Sequence, residues 1–141
     1  MFKTVLVPVD LAHIADGSTM IEQARKIAEH NDCKMLLLNV VPVMPPYIAE
    51  GLPSGLHEQV MSRVQSELGQ LAKKYDLPAT TRILVRHGSP AQEILKAATE
   101  CEVDLIAIAS HRPGWSDFVL GSVAGSVVRH ARCSVSVLRQ P

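Results

Sequence analysis

The sequence has no surplus of charge of either sign: Lys+Arg and Asp+Glu stand at 14 each in 141 residues. With no net positive field to attract a phosphate backbone, nucleic acid is set aside as a partner. No apolar run approaches the about 20 residues that cross a bilayer. The chain begins Met-Phe-Lys-Thr-Val-Leu-Val, directly as a strand and without an apolar leader. No membrane partner and a cytoplasmic location are therefore expected. Cysteine is scarce and odd in number. Cys33, Cys101 and Cys133 lack C-x-x-C spacing and lie beside apolar segments, so buried or half-buried free thiols are expected rather than a metal or redox centre. Repeats and linkers are absent too, which leaves one domain over residues 1–141.

Several phosphate and acyl chemistries are missing by spelling. There is no G-x-x-x-x-G-K-[ST], and no G-x-G-x-x-G follows the first strand. Gly121-Ser-Val-Ala-Gly125 holds its serine in the second place of five, so it is not a G-x-S-x-G nucleophile elbow. Ser110, His111 and Asp10 supply the residue types of a triad. Ser110 and His111 are adjacent at a strand's end, however, and would point to opposite sides, which breaks the relay. Without a nucleophile–base pair the chain reads as non-enzymatic.

What is present is an alternation of strands and helices. Residues 3–10 form a β-branched, nearly continuous apolar strand with Pro8 near its end and Asp10 at its tip. Thr19 and Glu22 have capping-box spacing, and a helix is expected from about Ser18 to about Asn31. Residues 34–41 are a second strand, ended by Pro42. Residues 42–55, with four prolines and two glycines, are too broken for regular structure. An amphipathic helix then runs from Leu56 to before Leu77. Residues 80–85 are a third strand. Ser89 as N-cap, Pro90 at the first helical position and Gln92 at the capping-box position open the next helix. Residues 104–111 are a fourth strand, 121–130 a small-residue helix, and 133–138 a fifth strand.

Five strands alternating with four helices argue for an α/β three-layer sandwich around a parallel sheet, of order 3-2-1-4-5 or 2-1-3-4-5. Ligands of such sheets bind beyond the strand carboxyl ends, where the winding reverses. In the first order Asp10 and residues 109–112 face each other there, with Gly121 and Ser122 close by. A strand leading into a helix N-terminus offers unpaired N–H groups to an anion such as a phosphate.

The end of strand one (Val-Pro-Val-Asp10), Gly88-Ser-Pro, Asp104-Leu-Ile-Ala-Ile-Ala-Ser-His111, and the run from Leu120-Gly-Ser-Val-Ala to Cys-Ser-Val-Ser-Val-Leu138 together resemble the universal stress protein family over the whole chain. The Ala-Ser-His-Arg-Pro113 spelling looks most like the F-type bacterial members. The resemblance implies an adenine nucleotide alpha hydrolase-like fold of order 3-2-1-4-5 and binding of ATP, with Mg²⁺ a candidate companion ion. It implies a role in stress response through ligand-dependent association with a further protein rather than through catalysis. By motif position Pro8, Val9 and Asp10 meet the adenosine, and the backbone of Val40 and Val41 meets the base. Ala109, Ser110, His111 and Arg112 line ribose and phosphates, while Gly121, Ser122 and Val123 hold the phosphates. ATP-binding members show G-x2-G-x9-G-[ST]. Here Ala109 and Arg112 replace the first two glycines, and eight residues separate Arg112 from Gly121. Arg112 either gives a charge-assisted bond to phosphate or fills the crevice. A nucleotide-free dimeric module and a slow ATP hydrolase are the competing readings.

The fifth strand is expected at a sheet edge, open to pairing with a second copy through Ser134, Val135, Ser136, Val137 and Leu138, with extension to a tetramer. Residues 42–55, carrying Tyr47, either fold over the nucleotide, meet another subunit, or simply connect. Asp10 either touches ligand or caps the segment after it. Gly125 and Ser126, a turn deeper in the last helix, are expected to permit helix-to-sheet packing. Trp115 is expected to be partly buried in its polar loop. His13, His30, His57 and His130 read as solvated surface, whereas His87 and His111 end strands at the carboxyl edge.

Overall fold

The computed structural model describes residues 1–11, 18–110 and 120–139. Its elements are β1 (Thr4–Pro8), α1 (Ser18–Asn31), β2 (Lys34–Val41), α2 (Pro46–Ala49), α3 (Leu56–Lys74), β3 (Arg82–His87), α4 (Pro90–Glu100), β4 (Leu105–Ala109), α5 (Ser122–His130) and β5 (Ser134–Leu138). The five strands form one sheet of order β3-β2-β1-β4-β5, every pair parallel. That selects the first of the two windings.

The near-continuous apolar strands are explained by a core on each face of the sheet. Val5, Val7, Met35, Leu37, Leu105 and Ala107 point to one side, where Met20, Ile21, Ala24 and Ala28 of α1 and Val64 and Leu68 of α3 cover them. Leu6, Leu36, Leu38, Ile106 and Ile108 point to the other, against Ile94, Ala97 and Ala98 of α4 and Ala124 and Val127 of α5. The period of two in the strands thus sorts alternate residues into two separate cores.

Four local differences from the sequence reading have physical reasons. The third strand occupies Arg82–His87, not 80–85, because the N–H of Thr81 closes a turn onto the carbonyl of Pro78 (2.9 Å). Pairing with β2 then runs from Leu36↔Arg82 to Val41↔His87. The segment 42–55, expected to lack regular structure, contains the one-turn helix α2, whose Pro46 sits where helices accept proline. Ser89 is the N-cap of α4, yet its side chain makes no cap hydrogen bond; its carbonyl accepts the N–H of Glu93 at 2.9 Å. β1 ends at Pro8, so Asp10 lies two residues beyond the strand.

Three helices end alike. Asp32, Asp76 and Glu102 take positive φ (52°, 52° and 53°). The next N–H in each case, of Cys33, Leu77 and Val103, donates to the carbonyl five residues back, of Ala28, Ala72 and Ala98, at 2.9 Å. This is the Schellman closure, and each following side chain is buried in the core.

Candidate functional site at the carboxyl edge of the sheet

The registered ladder between β1 and β4 consists of Val5↔Leu105 and Leu6↔Ile106. Both strands run on past it, to Pro8 and to Ala109, and their carboxyl ends border the crevice where the winding reverses. The side nearer β2 is pinned at Val9. Its N–H donates to the carbonyl of Leu38, and its own carbonyl accepts the side-chain amide of Asn39, both at 2.8 Å. With its side chain buried as well, Val9 holds the strand tip in place and leaves Asp10 exposed beyond it. Asn39 escaped the sequence reading; its signal is a single amide inside Met-Leu-Leu-Leu-Asn-Val-Val.

On β2, the carbonyl of Leu38 faces β1, while that of Val41 faces β3 and accepts the N–H of Gly88 at 3.0 Å. Alternation turns the main-chain groups of Val40 toward β1, at a level beyond the end of that strand. Val40 and Val41 are half-buried, as is Pro8.

Across the crevice, Ala109 is half-buried and pairs with Leu138. Ser110 is 2% exposed. Its N–H donates to the carbonyl of Leu138 at 2.9 Å, and its carbonyl accepts the N–H of Gly121 at 2.8 Å. That second bond brings the N-cap of α5 to the end of β4. Because the Gly121 N–H is engaged there, the first-turn donors without a backbone acceptor among the described residues are those of Ser122, Val123 and Ala124. Ala124 was not singled out from the sequence. Gly121 has an ordinary φ of −58° and is buried, and Ser122 is exposed at the first helical position. These amides and the Ser122 hydroxyl match what a phosphate requires. Among the described residues a Cβ on Gly125 would meet Leu120 Cδ2 at 3.8 Å, an ordinary contact. The packing role expected of Gly125 is not found. His111 and Arg112 lie outside the described residues, as do Trp115 and His13.

Two clefts lie elsewhere. One, at the amino edge, is lined by Phe2, Asp104, Arg132 and Cys133 among others; the second runs between α3 and β3, past His57, Met61, Ile83 and Val85. We place the candidate site at the crevice, because the first cleft is on the edge opposite to where parallel sheets bind ligands and the second lies along the outer strand β3, away from the point where the winding reverses. Burial pushes the Cys33 and Cys133 thiols up from their ordinary value, which makes them poor nucleophiles. Among the described residues no group of three His, Cys, Asp or Glu is placed to hold a metal ion.

Residues 1–139 match the profile of the universal stress protein family. The chain belongs to that family. Universal stress protein G of Escherichia coli O157:H7 is 28% identical over 143 residues, covering 99% of this chain and 100% of its relative. Universal stress protein G of Salmonella typhimurium is 29% identical over 146 residues, with the same two coverages. Among solved structures, universal stress protein UspA from Lactobacillus plantarum superposes with a TM-score of 0.78 at 24% identity, covering 98% of each chain. A universal stress protein solved in complex with cAMP superposes with a TM-score of 0.65 at 18% identity, over 97% of this chain and 96% of the other. The two solved universal stress proteins share the fold described above. No helix among the described residues is long and apolar enough to cross a membrane.

Proposed function

We propose that this universal stress protein binds ATP, or a related adenine nucleotide, between the carboxyl ends of β1 and β4, and that the bound nucleotide governs association rather than a reaction. The observation that carries the reading is the Ser110–Gly121 hydrogen bond, which brings the amides of Ser122, Val123 and Ala124, without a backbone acceptor among the described residues, beside the end of β4. Asp10 meets the adenosine or a Mg²⁺ ion that accompanies the phosphates, and Val40 offers backbone groups to the base. Nucleotide binding by the relative solved with cAMP supports the ligand class. The protein acts in the cytoplasm in response to stress. Mass spectrometry of the denatured, purified protein together with calorimetric titration of ATP and Mg²⁺ tests the reading. A nucleotide released on denaturation, or saturable binding, is expected; no nucleotide and no heat at millimolar ATP would remove it.

The assembly proposed is a homodimer through β5. Because the Leu138 carbonyl faces β4, alternation directs the main-chain groups of Val135 and Val137 to the open edge, where a second copy adds its own strand. Ala109 and Arg112, standing where ATP-binding members carry glycine, favour a second reading in which the dimer works without nucleotide.

A further inference from the structure

We infer that His57 and His87 form a two-histidine site for a divalent d-block cation, of the Zn²⁺, Ni²⁺ or Cu²⁺ class, at the outer corner of the carboxyl edge. His57 is the second residue of α3 and His87 the last of β3. Ile83 and Val85 pack into the core under α3, and alternation puts His87 on that same face, while Arg86 turns away to pair with Glu100 on α4. The two imidazole centroids lie 4.7 Å apart, with their planes at 69°.

That spacing suits a shared metal. A zinc-bound imidazole nitrogen lies about 2.0–2.1 Å from the ion, which puts each ring centroid about 3.2 Å from it; centroids at the observed separation then subtend an angle of about 95° at the metal. This falls between the right angle of tetragonal Cu²⁺ or Ni²⁺ and the tetrahedral angle of Zn²⁺. Both side chains are exposed, so burial of ring area gives aromatic packing little to hold them together, and their ring torsions are free to turn a nitrogen toward a common point. The backbones beneath them are tied down. Gly88 N–H donates to the Val41 carbonyl (3.0 Å) directly after His87, and Gln59 N–H donates to the Gly55 carbonyl (3.2 Å) across the first turn of α3. Ligands carried on a helix and a strand keep their spacing better than ligands on loops. With no third protein ligand among the described residues, water fills the remaining positions.

The site is independent of the nucleotide reading and is tested without nucleotide. Tag-free protein, treated with chelator and then dialysed, is titrated calorimetrically with ZnCl2 and with NiCl2. One cation per chain is expected. His57→Ala and His87→Ala each lower the affinity at least about tenfold, while His30→Ala, remote at the end of α1, leaves it unchanged. The Cu²⁺-loaded protein shows electron-spin coupling to two nitrogens. Absence of saturable binding up to millimolar metal, or unaltered binding in the correctly folded His57→Ala/His87→Ala double variant, overturns the site.

Discussion

Ser110 accepts the N–H of Gly121 at 2.8 Å, so the buried end of β4 and the cap of α5 are one hydrogen bond apart although eleven positions separate them. The bond fixes where the α5 amides sit whatever path the chain takes between. Ser122→Ala, which deletes one hydroxyl, is expected to weaken ATP binding by roughly tenfold, the value of about one hydrogen bond. Ser122→Pro deletes the N–H as well as the hydroxyl, at a position where helices accept proline, and is expected to weaken binding further than Ser122→Ala does, with the circular dichroism spectrum preserved. Calorimetric titration reads both, and wild-type affinity in the pair would place the phosphates elsewhere.

The opposite edge carries a pH-dependent contribution. Asp104 accepts the N–H groups of Lys3 (2.8 Å) and Thr4 (2.9 Å) and joins the amino ends of β1 and β4. Burial of Asp104 works to raise its pKa, but the hydrogen bonds from Thr4 and Lys3 prevail, and the carboxyl sits below its ordinary value. A folded pKa below the unfolded one means that the stabilisation is complete above the unfolded value of about 3.9 and is lost as pH falls through the folded one. Asp104→Asn is therefore expected to cost about 1–2 kcal/mol at neutral pH. In urea denaturation the gap to wild type should narrow as pH drops below about 4. A gap that stays constant to pH 2 would contradict this account.

The shared helix endings give a stabilising substitution. Glu102 holds a φ of 53° that a side chain with a Cβ adopts at a cost and that glycine adopts freely. Glu102→Gly is expected to raise stability by about 0.5–1 kcal/mol. Asp32→Gly and Asp76→Gly should gain less, because aspartate tolerates this conformation better than glutamate does. Denaturant midpoints of the three variants rank them.

Two glycines should respond with opposite sign to the same replacement. Gly88 has a φ of +148°, and an added Cβ would lie 3.0 Å from Glu93 Cγ; Gly88→Ala is expected to destabilise by about 1–3 kcal/mol. Gly69, inside α3, has nothing within 4 Å of an added Cβ, so Gly69→Ala is expected to stabilise by about 0.5–1 kcal/mol. Equal effects in chemical denaturation would refute the distinction.

The proposed dimer has its own readout. Val137→Pro removes an N–H that faces the open edge of β5 and leaves the β4 ladder intact. Sedimentation of this variant is expected to show a monomer where wild type is a dimer, and an unchanged dimer would move the interface off this strand.

Much of the fold was legible because it is written in local patterns. The bounds of α1 and β2 agree with the sequence reading because helical period and an apolar run need no distant partner to be recognised. The β3 shift is different: the stop at its amino end is a turn bond between Thr81 and Pro78, and its reach to His87 depends on pairing with β2. At the candidate site, Asp10 and Ser122 stand out from their neighbours' types alone. The tie from Asn39 to Val9, the engagement of the Gly121 N–H and the meeting of His57 with His87 join residues far apart in the chain, and no spacing rule reports them.

The amino-acid order by itself determined five apolar strands alternating with helices, the terminus that opens at Gly121, and membership of the universal stress protein family through motifs spread along the chain. Hydrophobic period decides which residues leave water, and it decides this residue by residue. The alternation of elements left two winding orders open, of which the family resemblance implied the observed one; the placing of α5 against the end of β4 and the histidine pair were decided by the tertiary structure alone. They depend on which strand finds which neighbour, a matter of register and crossover between remote segments that local periodicity does not encode.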